Sequence, residues 1–331
     1  MRSDWACLPG GAADQNSATI ANILVGNGRN AAMIESMGGE LSLIPSHDVL
    51  MAVTGTPAQV TVDGGRVEQW APFVVPAGHL LSIHAAHSGS RSYVAVNGGI
   101  DAPRFLGSVA PDARMGFTQT ITAGMEINVV SGFAGFRRTF FEQSFFRFPV
   151  PVPSFPEHAW TVDLVESSLT NSVPGLRTLV ECSRYVVSPR SNHVGLRLDG
   201  PVLHPQDDTE IVSHGVPIGA VEIPHGGELI VLGRYRTLTA GYPIVGFATR
   251  MSQSMLGQAS PGRELAFRWI DRSVARRRLA EFENRLEALE DSVKHAFRAA
   301  GLGLEPAGAP MNVLPDAIDI LPDRAINATI F

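Results

Sequence analysis

Two charged side chains in the second half of the sequence stand where they could do chemistry. Glu222 lies between Val221 and Ile223 in "GAVEIP" (219–224), which predicts a strand. Its side chain therefore faces away from these two apolar neighbours, toward either a barrel lumen or a cleft. A carboxylate in a partly apolar cleft has a raised pKa and can serve as a general base. The alternative is an exposed strand glutamate.

Arg236 lies in "GRYRTLTAGYPIVGF" (233–247), a mixture of residue types that core packing does not require. A guanidinium group can hold a carboxylate or a carbamate through two parallel hydrogen bonds. Arg197 is a second candidate for this role, and a surface arginine is the alternative for both. The Tyr242 hydroxyl is a further candidate ligand, although a tyrosine beside Pro243 more often packs.

Four other polar residues lie in predicted turns. His193 could transfer protons near neutral pH, and Asn192 precedes it as a candidate substrate-binding residue. Asp14 and Asp112 are candidate binding residues in segments rich in glycine or proline, where aspartate more often caps a turn. For His193 the alternative is a surface turn histidine.

Three histidines in the first half suggest a metal cluster at first sight. They are His79, His84 and His87. His84 and His87 are three residues apart in a strand-to-turn region, so they point to opposite faces. A zinc site needs convergent ligands, and we therefore predict surface histidines and no metal site.

The composition excludes several classes of protein. The chain has 331 residues, 44% of them hydrophobic and 18% charged, with a net charge of −6 and a pI near 5.9. This composition is globular and lacks the basic character of a nucleic-acid-binding protein. Two cysteines cannot form a disulfide framework. Without an apolar run of about 18 residues or a secretory signal, we expect a soluble cytoplasmic protein.

Lysine occurs once, as Lys294, in a helical pattern. The sequence lacks the glycine-rich P-loop that ends in lysine and cradles phosphates. We therefore expect no tightly bound cofactor. ATP or carboxybiotin would take part only with a partner subunit that supplies most of the binding or carries the group.

Short apolar segments that end in Gly, Pro or Asp predict strands on both sides of a proline-rich break, "FPVPVPSFP" (148–156). The halves share a pattern: "VTVDG" (60–64) precedes "VPAGHLLSI" (75–83), and "LRLDG" (196–200) precedes "IPHGGELIV" (223–231). We predict a mainly β protein. It has a first barrel-like domain over 1–147, a linker over 148–158 and a second barrel-like domain over 159–270.

The end of the chain is predicted to be a helix over 271–301, followed by a draped tail over 302–331. Apolar residues recur at steps of three and four, and Gly301 marks the helix end. They are Leu279, Phe282, Leu286, Leu289, Val293, Ala296 and Ala300. The stripe could pack on a barrel, or it could form a homodimer seam through residues 279–300.

Five motifs in a fixed order carry a resemblance over about residues 10–270. They are "IANILVGN" (20–27), "VNGGIDAPRFLGS" (96–108), "SNHVGLRLDGP" (191–201), "GVPIGAVEIP" (215–224) and "TAGYPIVG" (239–246). In these the chain resembles the biotin-dependent carboxyltransferase family, also called allophanate hydrolase subunit 2 or the C subunit of 5-oxoprolinase. The resemblance implies two cyclophilin-like β-barrels and a smaller partner of the allophanate hydrolase subunit 1 type. It also implies either ATP-dependent opening of 5-oxoproline or carboxyl transfer to urea or a related amide.

Several polar positions depart from the family pattern, and the Val-Gln-Asp-x-Gly-Arg motif that typically begins these proteins is absent. Asn192 and His193 replace an aspartate and an arginine, and Glu222 replaces a glutamine. Asp14, Asp112 and Arg236 match family positions. The glycines and prolines of the motifs survive, which favours a changed substrate or reaction over decay.

The leading hypothesis is an enzyme subunit that acts on an amide, lactam or carboxylated small molecule that is anionic or polar. Glu222 or His193 would transfer protons and Arg236 or Arg197 would hold an anion, in a cleft lined by segments 191–197, 220–224 and 234–243. One alternative is a non-catalytic regulatory or partner-binding protein on the same scaffold. Another is a barrel used for a cofactor-free reaction in a specialised biosynthetic pathway.

Overall fold

A computed structural model describes residues 2–85, 89–118, 120–133, 135, 146–204, 211–302, 316–321 and 327–331. Within these residues the chain is mostly β, as expected. The helices are α1 (Gln15–Leu24), α2 (Leu176–Cys182), α3 (Arg250–Leu256) and α4 (Arg272–Ala299). The strands are β1 (Ile34–Met37), β2 (Glu40–Pro45), β3 (Val49–Gly55), β4 (Ala58–Val62), β5 (Gly65–Val67), β6 (Pro72–Val75), β7 (Leu81–Ala85), β8 (Arg91–Val96), β9 (Thr120–Ile121), β10 (Glu126–Val129), β11 (Trp160–Glu166), β12 (Tyr185–Val187), β13 (Gly195–Asp199), β14 (His214–Gly215), β15 (Ala220–Glu222), β16 (Leu229–Leu232), β17 (Thr239–Ala240), β18 (Ile244–Ala248), β19 (Glu264–Trp269), β20 (Asp316–Ile320) and β21 (Ala328–Ile330).

The chain divides into two compact units. The first, here called the sheet unit, comprises Gln15–Pro153 and Glu283–Phe331. The second, here called the barrel unit, comprises Met1–Asp14 and Ser154–Phe282. One change of unit falls inside the proline-rich segment 148–158, and another falls within α4.

The sheet unit contains two six-stranded sheets. Their strand orders are β6-β3-β8-β1-β21-β9 and β10-β20-β2-β7-β4-β5. Alternate residues from both sheets enter a single core, as the period of two in a strand requires; examples are Leu41, Leu43, Met51 and Val53.

The barrel unit contains a closed barrel in the order β11-β18-β15-β16-β13-β12-β19. β11 and β19 run parallel where the barrel closes, and the other neighbouring strands are antiparallel. Trp160, Tyr185 and Phe267 lie in its core. A separate two-stranded sheet of β14 and β17, here called the ribbon, pairs His214 with Ala240 and Gly215 with Thr239.

The expected draped tail is wrong for the part of 302–331 that the structure describes. β20 lies between β10 and β2, and β21 lies between β1 and β9, so both are interior strands of the sheet unit. Ile318, Ile320, Ala328 and Ile330 are almost fully buried. The strands have five and three residues, which is too short for a period of two to stand out in the sequence.

α4 confirms the predicted helix, but its apolar stripe is not available as a dimer seam. Leu286, Leu289 and Val293 are at most 2% exposed, because the stripe is buried within the chain. The Phe297 ring packs edge-on against that of Phe146, with centroids 5.5 Å apart. The Arg29 guanidinium, also in the sheet unit, donates to carboxylates of Glu283 and Glu290.

Candidate functional site

The outer face of the barrel is covered in part by the ribbon. Val221 and Ile223 belong to the barrel core, so the residues between and before them face outward. Ala220, Ile230 and Ile244 form a second small apolar cluster with Val216, against which Ala240 of the ribbon packs. Glu222 therefore lies in the outer layer of the barrel and not in its lumen. The alternation of side chains along the strand had left both directions open.

Glu222 is a buried carboxylate that lacks a hydrogen-bond donor for one oxygen. The residue is 4% exposed, and its Oε1 atom has no partner. Burial raises the pKa of Glu222, and the charge of His214 acts on it in the opposite direction. An unpaired buried carboxyl costs stability, so its presence calls for an explanation other than packing.

Arg236 is a buried cation in the same part of the barrel unit. It is 9% exposed, its Nε donates to the Val216 carbonyl at 2.6 Å, and its Nη1 has no partner. Burial lowers the pKa of Arg236. Within the described residues it forms no ion pair, so an anion from outside the chain would satisfy both its charge and its free N–H groups.

An open groove of about 1330 Å³ lies beside the ribbon. Its apolar wall comes from Val165, Ile244, Phe247 and Trp269, and His214 lines it from the ribbon. Apolar walls with a few polar groups are typical of sites that bind small molecules or extended segments.

Charged residues also line this groove. Arg177 forms an ion pair with Glu166, and Asp271 and Arg272 stand at the start of α4. Segments 191–197, 220–224 and 234–243 do not line the groove. Its walls thus come from outside the segments that were predicted to line the cleft.

Arg197 shares the outer face with Glu222. β13, β16 and β15 align Arg197, Ile230 and Glu222 in one row. The Arg197 guanidinium, however, is paired with Glu228, which also binds Arg190. This surface ion-pair cluster leaves Arg197 a weaker candidate anion holder than Arg236.

His193 and Asn192 lie in the turn that precedes β13. His193 is exposed, and the chain bends here, since the Asn192 amide donates to the Gly195 carbonyl at 3.2 Å. Its ring contacts that of Tyr235 edge-on, with centroids 6.0 Å apart. The Asn192 side chain accepts a hydrogen bond from the Val194 amide at 2.9 Å, as a turn residue does.

The remaining three candidates have local partners. Tyr242 is exposed and its ring packs against His225. Asp14 is buried and accepts a hydrogen bond from the Gln258 side chain at 3.0 Å. Asp112 belongs to the sheet unit and accepts from the Arg114 and Met115 amides as a helix cap.

His214 was not among the residues predicted from the sequence. It immediately precedes the motif "GVPIG", and that adjacency was the available signal. Its position depends on the pairing of β14 with β17, which joins residues about 25 positions apart.

Two negative observations concern the described residues. None of the described helices has the length and apolar character needed to cross a membrane. The same residues contain no cluster of three metal-ligating side chains. His79 pairs with Asp63 and His84 with Glu40, and His87 lies outside the described residues.

Comparison with known proteins identifies the family of this chain. The profile of the family described as "Carboxyltransferase domain, subdomain A and B" matches residues 6–269. The chain is 30% identical over 272 residues to the C subunit of 5-oxoprolinase from Escherichia coli (strain K12), covering 78% of this chain and 81% of that one.

Solved structures show the same fold. The crystal structure of TTHA0988 matches with a TM-score of 0.66 and 27% identity over 80% of this chain, which spans half the length of that chain. The K. lactis urea amidolyase matches with a TM-score of 0.73 and 19% identity, covering 86% of this chain and 18% of that one. With the family profile and the E. coli relative, these matches lead to one conclusion: the chain belongs to the carboxyltransferase-domain family with subdomains A and B.

Proposed function

We propose that this chain is a subunit of an enzyme that acts on a small amide, lactam or carboxylated molecule. Its relative from E. coli is a subunit of 5-oxoprolinase by name, and urea amidolyase is a structural neighbour. Both names concern amide or lactam bonds. Cleavage or carboxylation at such bonds requires a proton to leave or reach a nitrogen or oxygen atom.

The observation that carries this proposal is the unpartnered carboxyl of Glu222. Glu222 is 4% exposed, and burial raises its pKa toward the range that is useful for proton transfer. Perturbed carboxyls of this kind concentrate at functional sites. Glu222 is favoured over His193 because His193 is an exposed turn residue, whereas burial perturbs Glu222.

Arg236 supplies the positive charge in this proposal. Its Nη1 is free while its Nε is held by a backbone carbonyl, so the guanidinium is fixed in place before a ligand arrives. A fixed cation binds a carboxylate or carbamate at a lower entropic cost than a mobile one.

The proposed enzyme works with a smaller partner subunit, which supplies any ATP or carboxybiotin chemistry. Lys294 is the chain's single lysine and lies exposed on α4. We expect calorimetric titration of the isolated chain with ATP to show no micromolar binding. Micromolar affinity of the isolated chain for ATP would contradict the assignment of ATP chemistry to the partner subunit.

The test of the proposed function is turnover of 5-oxoproline and of urea by the chain reconstituted with a candidate partner subunit. Glu222→Gln should lower turnover by about 10²–10⁴-fold, the usual effect of removing a general base. Glu264→Gln is the matched control, since Glu264 is an exposed strand glutamate of the same barrel, paired with Arg184. Equal activity of both variants would contradict the proposal.

Arg236→Lys should raise KM with a smaller effect on kcat, because an ammonium group cannot reproduce the two-pronged geometry of a guanidinium. Arg184→Lys is its exposed control. An unchanged KM in Arg236→Lys would place substrate binding elsewhere.

A second candidate function is partner binding without catalysis. The observation that favours it is the groove, whose 1330 Å³ exceeds the roughly 300–1,000 Å³ of a small-molecule pocket. In that case Glu222→Gln would leave both partner affinity and any partner-dependent turnover unchanged.

A further inference from the structure

Glu222 lies close behind the wall of the groove without being part of it. Ile244 lines the groove and is a cross-strand neighbour of Glu222. Neighbouring strands are about 4.8 Å apart, so Glu222 lies one strand away from the groove wall. Yet Glu222 is 4% exposed and does not line the groove. A covering layer therefore separates this carboxyl from a molecule in the groove.

The ribbon crosses the outer face of β15. Both β16 and β18 run antiparallel to β15, so they are parallel to each other. Residues 233–243, which connect them, must therefore return along β15 from the end that holds Ala220 toward the end that holds Glu222. β17 lies within this connection and pairs with β14 to form the ribbon. The chain connectivity thus carries the ribbon over Glu222.

Apolar contacts hold the ribbon against this face of the barrel. Ile230 and Ile244 are cross-strand neighbours of Glu222, and both belong to the small apolar cluster on which Ala240 packs. His214, the ribbon partner of Ala240, also acts on Glu222 through its charge. Ala240 contributes a single methyl group, so its contact with the barrel buries little apolar surface.

Among the described residues, few hydrogen bonds join the two chain segments of the ribbon. β14 and β17 have two residues each. Beside them, the Val216 amide donates to the Leu238 carbonyl at 2.9 Å, and Arg236 Nε donates to the Val216 carbonyl at 2.6 Å. A two-stranded ribbon of this size is marginally stable. The bond from Arg236 is the strongest of these ties because its donor is charged.

We propose that the ribbon is a gate whose two segments part to let a molecule pass from the groove to Glu222, and that the hydrogen bond from Arg236 to Val216 is its latch. This inference rests on the proposed function, because it describes how the substrate reaches the base. The closed gate keeps water from the carboxyl. In the open gate, the groove continues past Ile244 to Glu222, and the free Nη1 of Arg236 stands beside the passage, where it can hold an anionic group.

Thiol labelling tests the gate without a substrate. Glu222→Cys places a thiol beneath the ribbon, and mass spectrometry of proteolytic peptides follows its reaction with iodoacetamide. The exposed Cys182 and the buried Cys7 are internal references, and each rate is divided by that of the urea-unfolded protein. A gate that is open about 0.1–10% of the time should make the introduced thiol roughly tenfold to thousandfold slower than Cys182. Low urea should barely change this rate, because opening the gate exposes little surface.

Two results of this experiment would overturn the gate. If the introduced thiol reacted as fast as Cys182, position 222 would have no cover. If its rate rose with urea as steeply as global unfolding does, the ribbon would not open in the folded protein.

Two substitutions, each made in the Glu222→Cys protein, should open the gate. Ala240→Gly removes the methyl contact and should speed labelling of the introduced thiol about fourfold, the factor that corresponds to one buried methyl group. Arg236→Leu removes the latch and should speed it about tenfold, as the loss of a hydrogen bond from a charged donor does. Ala266→Gly, at a half-buried alanine of β19, is the matched control and should leave the rate unchanged. Unchanged rates in both ribbon variants, or an equal rise in Ala266→Gly, would overturn the proposal.

Hydrogen exchange of the wild-type protein is a second measurement that does not depend on the folding of Glu222→Cys. The Val216 amide joins the two segments of the ribbon, whereas the Ala248 amide donates to the Gly219 carbonyl of the barrel at 2.8 Å. After correction for intrinsic rates, the Val216 amide should exchange roughly tenfold faster or more, with little dependence on urea. Equal exchange of the two amides would overturn the gate.

The turnover of Glu222→Gln in the reconstituted enzyme separates this inference from the proposed function. If the gate passes these tests and Glu222→Gln keeps full turnover, the proposed function is overturned and the gate stands. If the gate fails while Glu222→Gln loses turnover, the gate alone is overturned.

Discussion

Two buried glutamates, one in each unit, have opposite surroundings. Glu35 of the sheet unit is 8% exposed, and it accepts hydrogen bonds from Tyr93 Oη at 2.7 Å and Arg91 Nε at 3.2 Å. Glu222 of the barrel unit is 4% exposed and has an oxygen without a donor. A paired buried charge maintains a fold, whereas an unpaired one costs stability and is retained for another reason.

The same contrast extends to other polar side chains of the two units. In the sheet unit, the Asn27 amide bonds to Asn22 and to the Val96 carbonyl, and the Asn97 amide bonds to the Val25 carbonyl. In the barrel unit, Arg236 keeps a free Nη1. Among the described residues of the sheet unit, the buried side-chain atoms without a partner are the hydroxyls of Thr56 and Ser92, which cost less to bury than a charge.

The largest effect is expected in the sheet unit, at Gly98. A Cβ there would lie 1.5 Å from the Val130 carbonyl oxygen, and the backbone φ is +85°. Gly98→Ala should lower the free energy of unfolding by roughly 3 kcal/mol or more, because a backbone segment must move. Denaturant unfolding of the purified protein measures this.

Gly99→Ala is the matched control for Gly98→Ala. Gly99 also has a positive φ, of +90°, but its nearest contact would be an ordinary 3.6 Å. We expect a loss of about 1–2 kcal/mol from backbone strain alone. Equal losses at the two positions would contradict the close approach of Val130.

Glu35→Gln should come next in size. The amide cannot accept from both Tyr93 and Arg91 as a carboxylate does, and it leaves the arginine without its counter-charge. We expect a loss of about 2 kcal/mol in the free energy of unfolding, typical of hydrogen bonds to charged groups. Unchanged stability would mean that the hydrogen bonds of Glu35 do not stabilise the fold. The contrast between the paired Glu35 and the unpaired Glu222 would then have no energetic basis.

Local patterns in the sequence predicted a substantial part of this molecule. Alternation predicted most strands, the apolar stripe predicted α4, and the motifs selected Glu222 and Arg236. What local patterns could not supply is pairing between distant segments. The insertion of β20 between β10 and β2, and the pairing of His214 with Ala240, depend on contacts across the fold.

The direction of the Glu222 side chain is a second feature that local sequence patterns could not determine. The period of two placed its side chain opposite Val221 and Ile223. Only the closed barrel shows that these two face the core and that Glu222 faces the ribbon side. The groove likewise draws its walls from five separate stretches of chain.

The smallest effect is expected at Tyr185, a neutral counterpart of Glu222 in the barrel unit. Its hydroxyl is buried without a partner, and burial raises the pKa of Tyr185 to about 12. Tyr185→Phe removes an unsatisfied group and should change the free energy of unfolding by less than about 1 kcal/mol, without loss of turnover. A larger destabilisation would show that the hydroxyl is bonded in solution.

The pH dependence of unfolding, compared between the wild-type protein and Glu222→Gln, tests the role of Glu222 most directly. Because burial raises the pKa of Glu222 above its ordinary value of 4.5, the folded state keeps a proton that the unfolded state loses as pH rises. Stability therefore falls with increasing pH between the ordinary and the raised pKa. Glu222→Gln should remove this fall and be more stable than wild type by about 1 kcal/mol at pH 8, as expected where function opposes stability. A variant less stable than wild type at pH 8, as expected for Glu35→Gln, would show that Glu222 is a paired structural residue and contradict the account.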